Sequence, residues 1–443
     1  MQLRRIEIEN FTCFKNFHVN FVPGFNIIIG RNGAGKSSLI RSLVYLMNFM
    51  FTNDKSMGNN YLSAGNPDLK MNSVKPLEFY RDKEHAEVAS SCNLHGELTF
   101  MNESISWDMY KKSTSGASLY PSKYVEAYRT ILRVSENKNI LPILAYFSDS
   151  FPHKTSNISS FAKNEINNID GILKNFCYYM WDNDSSCITI WQLRLINAMA
   201  RNLSLEDKSS SAFKEVDFIT STLIKFSEPI NENSDDSYKI EKVFFSFDSG
   251  TTPELWLKLK SGVETPFNSL PAGYLRLYGI VLELAYRTYL LNRDHLTEAV
   301  GLVLIDELDL HLHPSLELEV IERFQRVFPS LQFIVTTHSP LVITSVKADG
   351  ISSQILRLVA NEEEPHILPD LFGIDYNASL FDGMNVNPTN EDIDFIKGGI
   401  IRALRKNNIE LADKKKKELA HMVSNQRYDE ICDEIKESIS TKS

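Results

Sequence analysis

The chain has 443 residues, 43% of them apolar and 23% charged, enough for a buried core in one large domain with an insertion or in two domains. Its formal net charge of −10 excludes a uniformly basic surface that would coat nucleic acid, while leaving room for a local basic groove. Five cysteines (Cys13, Cys92, Cys177, Cys187, Cys432) are scattered without a CxxC pair, and neither a signal peptide nor an apolar run near ~20 residues is visible, so a reduced, soluble, cytoplasmic protein is expected.

The first fifty residues read as strand, turn, strand, strand, loop, helix. Ile6 and Ile8 alternate with Arg5, Glu7 and Glu9, as in a half-buried strand; Val19 and Phe21 suggest a second one before the Pro23-Gly24 turn. Phe25–Ile29 is a short buried strand, and Ser38–Phe51 carries apolar residues at helical spacing. Between them lies Gly30-Arg31-Asn32-Gly33-Ala34-Gly35-Lys36-Ser37, a full match to GxxxxGK[ST]. Glycines at 30, 33 and 35 let successive N–H groups turn inward onto phosphate oxygens. Lys36 offers a point charge to the β and γ phosphates and Ser37 a hydroxyl to Mg²⁺, with Asn32, Ala34 and Ser38 completing the cradle at the helix N-terminus. A chance glycine turn has no reason to sit between a buried strand and a helix.

Residues 52–85 are polar and read as a mobile surface excursion. Strands are expected at Glu87–Leu94, Glu97–Phe100, Ser104–Met109 and Ile140–Phe147, the last ending in Ser148-Asp149-Ser150. The pattern is helical from about 155 to 233, without heptads. Strands at Lys242–Phe247 and Glu254–Lys260 follow, then a helix over 273–292, a buried strand at 302–306, a helix over 315–327 and a strand at 331–336. The tail beyond about 385 is charged and helical. This order implies an α/β layer with a parallel core, extended by antiparallel strands into a mixed sheet. It also implies four regions: an N-terminal lobe (1–150), a helical insertion (151–235), a C-terminal lobe (236–360) and a C-terminal helical region (361–443).

Val303-Leu304-Ile305-Asp306-Glu307 is an apolar strand ending in two acids, which is costly unless something positive sits there. Mg²⁺ suits Asp306, and Glu307 stands where a general base could polarise an attacking water. After the next strand comes Thr337-His338-Ser339-Pro340, placing His338 where parallel strands end and open α/β sheets bind ligands. His311 and His313 invite a metal reading, but without further clustered ligands a structural role is expected.

Together these segments resemble the ABC-type ATPases of the SMC, RecF and OLD group. The resemblance rests on Ile6-Glu7-Ile8-Glu9-Asn10-Phe11, the loop Gly30–Ser38, the run Asp306–Pro314 and Thr336–Pro340, and covers about residues 1–50 and 265–345. The forms DELDLHLHP and TTHSP look most like the compact PtuA-like branch of Septu and retron anti-phage systems. The resemblance implies an ABC-type head that binds and hydrolyses ATP with Mg²⁺. It implies a homodimer or higher even-numbered oligomer in which each ATP is sandwiched between heads. The signature loop that completes such a site corresponds to Ser269-Leu270-Pro271-Ala272-Gly273-Tyr274, with Ser269 and Gly273 as nucleotide contacts; Pro271 stands where serine is usual. Ser148 and Asp149 occupy the place of the family's glutamine, making Tyr146 and Asp149 candidates, Asp149 on the metal. Lys15 sits where relatives carry a basic residue near the nucleotide; a plain surface lysine is the alternative.

The function expected is an ATP-gated switch in anti-phage defence, controlling a separate nuclease or toxin effector, with DNA or RNA as a further partner and no membrane. A RecF-like repair ATPase and an ATP-dependent scaffold with little turnover are the alternatives. Asp392-Ile393-Asp394 is formally a nuclease-like DxD, but Pro388-Thr389-Asn390-Glu391-Asp392 reads as a helix start. Lys414–Lys417 falls in a helical segment, Asp392–Val423, as a solvated face or a phosphate contact.

Overall fold

The chain opens with a hairpin. In β1 (Gln2–Phe11) Leu3, Ile6, Ile8 and Phe11 are buried, and β2 (Phe14–Asn20) pairs antiparallel with it. β3 (Phe25–Gly30), buried from Phe25 to Ile29, leads through the glycine loop into α1 (Lys36–Met47). β4 (Asn93–Phe100) and β5 (Glu103–Asp108) extend the hairpin into a four-stranded antiparallel sheet, β2-β1-β4-β5. The computed structural model describes all residues except 54–61, 83–86, 115–118, 153–157, 183–186, 206–207, 231–235, 248–249, 251, 294, 385–390, 406–407 and 441–443.

Two expectations fail in this part. Glu87–Leu94 is not a strand: Val88 makes only an isolated bridge to Arg81, and β4 begins at Asn93 and runs unbroken through Gly96. Gly96, between the two strands expected at Glu87–Leu94 and Glu97–Phe100, is needed for packing, since a Cβ there would meet Trp107 Cζ2 at 2.8 Å and Leu46 Cδ2 at 2.9 Å. Nor is the described part of 52–85 a loose excursion. Leu62, Leu69, Val74 and Phe79 are buried, and the Asn175 amide donates to the carbonyls of Leu62 (2.9 Å) and Ala64 (2.7 Å). Residues 54–61 and 83–86 of that segment lie outside the described residues.

α2 (Val125–Lys138) precedes β6 (Ile143–Phe147), and the helical insertion follows as α3 (Ser160–Asn167), α4 (Ile188–Leu205) and α5 (Ser211–Ser227). β7 (Ile240–Ser246), β8 (Glu254–Leu259) and β9 (Glu264–Pro266) make a small antiparallel sheet. α6 (Ala272–Leu291) is buried on all sides from Arg276 onward, the signature of a helix inside a core. β10 (Gly301–Ile305) is followed by α7 (Pro314–Glu317) and α8 (Val320–Val327), so the single helix expected over 315–327 is broken at Leu318–Glu319. Glu319, buried at the break, pairs with Arg323 at 2.8 Å. β11 (Leu331–Thr336), α9 (Pro340–Thr344), β12 (Gln354–Leu358) and β13 (His366–Ile367) complete this part.

A six-stranded sheet, ordered β13-β12-β3-β11-β10-β6, forms the centre. All its pairings are parallel except β12 with β13, so the sheet is mixed. Every residue of β10 and β11 is buried, as parallel strands covered on both faces require. The register matches Ile305 with Val335 and Phe147, and Thr336 with Ile28. The loops after β3, β6, β10 and β11 therefore leave from one edge. The fold is a P-loop α/β architecture with a helical insertion and helices at the C-terminal end.

The chain divides into two compact units, Met1–Ile374 and Asp375–Ser443. In the second, α10 (Tyr376–Ala378) is followed by α11 (Glu391–Arg405), α12 (Ile409–Met422) and α13 (Asn425–Ser440), which bury Ile396, Ile400, Leu419, Ile431 and Ile435 together. The helical segment expected over Asp392–Val423 consists of two helices. The Asn408 side chain accepts from the Leu411 N–H and starts α12 afresh. Pro388-Thr389-Asn390 and the Asp392 side chain lie outside the described residues, while Asp394 falls in the first turn of α11. Within the lysine run, Lys415 lies over the Phe395 ring at 5.2 Å and Lys416 reaches Asp413 at 4.0 Å.

Candidate functional site

The glycine loop is shaped from both ends. Gly35 has φ +101, and a Cβ there would lie 2.7 Å from Phe14 Cζ and 2.8 Å from Cys13 Sγ, so the β1–β2 turn presses directly on the loop. Lys36, first residue of α1, folds its buried ammonium back to donate to the carbonyls of Gly30 (2.8 Å) and Arg31 (3.4 Å). Burial pushes its pKa down, and the fields of Asp306, Glu307 and Asp309 oppose that shift. Of the other loop positions, Asn32, Gly33 and Ser37 are exposed, Gly30, Gly35 and Ser38 half-buried and Ala34 buried. Lys15, in the turn against the loop, is exposed.

Asp306 follows β10 and is 5% exposed. Its N–H donates to the Phe147 carbonyl at 2.8 Å, which joins it to the end of β6. Its Oδ1 accepts from the Thr336 hydroxyl at 2.5 Å, and that hydroxyl accepts from the Glu307 N–H at 2.8 Å. Glu307, half-buried, has φ +54, a left-handed conformation that a glutamate adopts only where its surroundings hold it. Asp309 Oδ1 accepts from the Thr337 hydroxyl (2.6 Å) and the His338 N–H (3.1 Å), so the turn after the acids fixes the backbone beneath the exposed His338 ring.

The residue that sequence reasoning missed is Arg276. It is fully buried in the first turns of α6, and its guanidinium donates to four carbonyls from two loops. These are Ser148 (3.0 Å), Phe151 (2.5 Å), Asp306 (2.7 Å) and Glu307 (3.2 Å). Burial lowers its pKa to about 10 against the opposing pull of Glu307, Asp149, Asp306 and Asp309. Asp149 itself is exposed at the end of β6. No periodicity announces Arg276, because an arginine in a helical pattern looks like a solvated position. Asp309 and Thr336 were visible only as members of longer motifs.

The structure therefore brings Lys36, Asp149, Asp306, Glu307 and Asp309 within one electrostatic neighbourhood at the strand ends. Both nearby cations spend their hydrogens on backbone carbonyls. Among the described residues, none of the four acids forms an ion pair. A buried carboxylate such as Asp306, with three further acids close by, calls for a cation from outside the chain. Asp306 and the Ser37 hydroxyl are hard oxygen donors of the kind Mg²⁺ takes, so the residues fit that ion.

Ser269 and Gly273 lie apart from the loop in sequence and sit at the start of α6, capped by Pro271. Ser269 is exposed; Gly273 is buried, and a Cβ there would come within 2.5 Å of the His311 carbonyl. The start of α6 is thereby seated on the turn that follows the acids. His313 is the N-cap of α7, its Nδ1 accepting from the Ser315 N–H at 3.3 Å, which is a structural role. Tyr146 is half-buried and lines a cavity of about 300 Å³ along α1 with Tyr45, Glu78 and Asp182.

The family described as AAA ATPase domain matches residues 1–343. The chain is 25% identical over 395 residues to the Retron Vc95 probable ATPase of Vibrio cholerae serotype O1 biovar El Tor, covering 79% of this chain and 73% of that protein. It is 24% identical over 405 residues to the Retron Ec83 probable ATPase of Escherichia coli, covering 79% and 71%. It is 25% identical over 367 residues to the Septu protein PtuA of Bacillus mycoides (strain KBAB4), covering 82% of this chain and 41% of that one. Among solved structures, an SMC head bound to the C-terminal winged-helix domain of ScpA aligns at TM-score 0.47 and 13% identity, over 83% of this chain and 98% of that one. Among the described residues no helix is long and apolar enough to cross a membrane.

Proposed function

The chain belongs to the AAA ATPase domain family and is a nucleotide-binding ATPase; from that premise we propose that it works as an ATP-gated dimeric switch in prokaryotic anti-phage defence, controlling a separate nuclease or toxin effector. One observation carries this reading: four carboxylates with no ion-pair partner among the described residues gather at the strand ends beside a phosphate-type loop whose lysine feels three of them. An anionic triphosphate with its divalent cation completes that charge pattern.

In this reading the backbone N–H groups of Gly30–Ser38 and the Lys36 ammonium hold the phosphates. Ser37, Asp306 and Asp149 would hold Mg²⁺, which when bound offsets phosphate charge. Glu307 accepts a proton from the attacking water, and the His338 ring orients that water. Ser269 and Gly273 at the start of α6 complete the site of a second copy, so that ATP holds two heads together. Turnover is slow in this reading; Pro271 stands at the helix cap where the family pattern has serine. The defence context is supported by the relatives named for retrons and Septu, and DNA or RNA is a further partner.

The test is Glu307→Gln. ATP turnover is expected to fall at least about 100-fold while nucleotide binding is kept. Turnover equal to that of the unaltered protein would remove Glu307 as the base. With Mg²⁺ and ATP the same variant should elute as a dimer; a monomer under all nucleotide conditions defeats the switch.

A further inference from the structure

At the other end of the central sheet a cleft of about 950 Å³ opens between the helical insertion and the residues that enter β10 and β11. Ala299 and Leu331 line it at the strand starts, whereas the acids follow the strand ends. The two places are roughly 16 Å apart along a five-residue strand.

The lining is basic although the chain as a whole is acidic. Among the described residues, Lys214, Lys225, Arg293 and Arg326 line the cleft, along with Lys208, against one carboxylate, Asp217. Lys214, Phe218, Ser221 and Lys225 recur at spacings of four, three and four, which makes them one stripe along α5. That stripe is about 16 Å long. Lys214 and Lys225 are exposed and form no ion pair among the described residues. Arg293 stacks over the Tyr289 ring at 5.6 Å, and that ring lies 5.7 Å from Phe218. Phe213 and Phe218 are half-buried, each leaving part of its ring to the cleft. Arg326 donates its terminal nitrogens to the carbonyls of Phe226, Glu228 and Pro229, so Lys208, Lys214, Lys225 and Arg293 are the cations left to an occupant.

Spaced cations that track a backbone, beside aromatic and guanidinium faces on which bases stack, are what a single strand needs. A duplex would keep its bases from those rings. We infer that this cleft binds single-stranded nucleic acid. The inference rests on the cleft and not on the ATPase reading, though it gives a place to the nucleic-acid partner proposed above. α6 carries Gly273 in its first turn and Thr288 and Tyr289 in its last, so it connects the nucleotide side of the central sheet to the cleft side.

The experiment uses the full chain and fluorescent 20-nucleotide oligo-dT and oligo-U, read by polarisation across a salt series. Binding should weaken steeply with salt, with a log–log slope of about −3 if four phosphates are contacted. The double variant K214E/K225E should bind at least tenfold more weakly with a shallower slope, at unchanged basal ATP turnover. An abasic strand of equal length should bind weaker than oligo-dT. The inference is overturned if the double variant binds like the unaltered protein, if neutralising Lys414–Lys417 removes binding instead, if duplex binds as well as single strand, or if no strand binds at low salt. Glu307→Gln should lose turnover yet retain oligonucleotide binding, so the two readings fail separately.

Discussion

In the helical insertion, Arg194 and Glu215 are both almost wholly buried and joined by two hydrogen bonds of 2.8 Å. Arg287 lies against Glu283 within α6 in the same way, and Arg323 against Glu319 at the start of α8. Each of these three buried arginines has its counter-charge inside the chain. At the strand ends the arrangement is reversed. Asp306 is as buried as those glutamates, but its bonds go to a hydroxyl and a carbonyl, and the nearest cations are committed to backbone carbonyls. The difference separates charge buried for architecture from charge buried for a ligand.

The sharpest way to break this comparison is to remove one member of an internal pair. Glu215→Ala strands the Arg194 guanidinium without its carboxylate, and should cost about 3–5 kcal/mol of unfolding free energy. The turnover of molecules that remain folded should be unaltered. Denaturant melts together with turnover per folded molecule check both parts, and a stability loss below about 1 kcal/mol would show that the pair is not the support it looks like. Burial pushes the Glu215 carboxyl up and Arg194 draws it only partly back, so the expected cost comes from the Arg194 guanidinium left buried without its carboxylate.

Asp306→Asn is the counterpart at the strand ends. The amide oxygen can still accept from Thr336, and one uncompensated charge is gone. Without nucleotide the variant should be as stable as the unaltered protein or slightly more so, while turnover falls about 100-fold. Stabilisation by Mg²⁺ and ATP in a thermal melt should shrink with it. A variant clearly less stable without nucleotide would mean that Asp306 is an architectural charge after all.

The same contrast explains what could be read in advance. β3, β10 and β11 were legible because a parallel strand covered on both faces is an unbroken apolar run, and the glycine loop because each position has a chemical requirement. β12 was missed: Gln354 and Arg357 interrupt its apolar residues, and the strand exists because β3 offers it a partner. β4 was cut in two at Gly96, where the reason for glycine is Trp107 on the neighbouring strand. Local pattern carries what a residue does to its own backbone; what it does for a segment far along the chain is settled only by packing.

Arg276 is the clearest case, and it gives the smallest but most discriminating test. It sits in α6 beside Gly273 and reaches the loops after β6 and β10, so it links the proposed partner-facing helix start to the acids. If it acts only as a positive charge near Asp306 and Glu307, Arg276→Lys should preserve turnover. If it acts by geometry, lysine cannot reproduce a planar fork that serves four carbonyls at once. Turnover number is then expected to drop about tenfold with the KM for ATP nearly unchanged, because the phosphate loop does not depend on it and the placement of Glu307 does. A rise in KM at constant turnover would instead assign Arg276 to nucleotide binding. Full activity would leave the guanidinium as a filler of buried space, and the link from α6 to the carboxylates would have no chemical consequence.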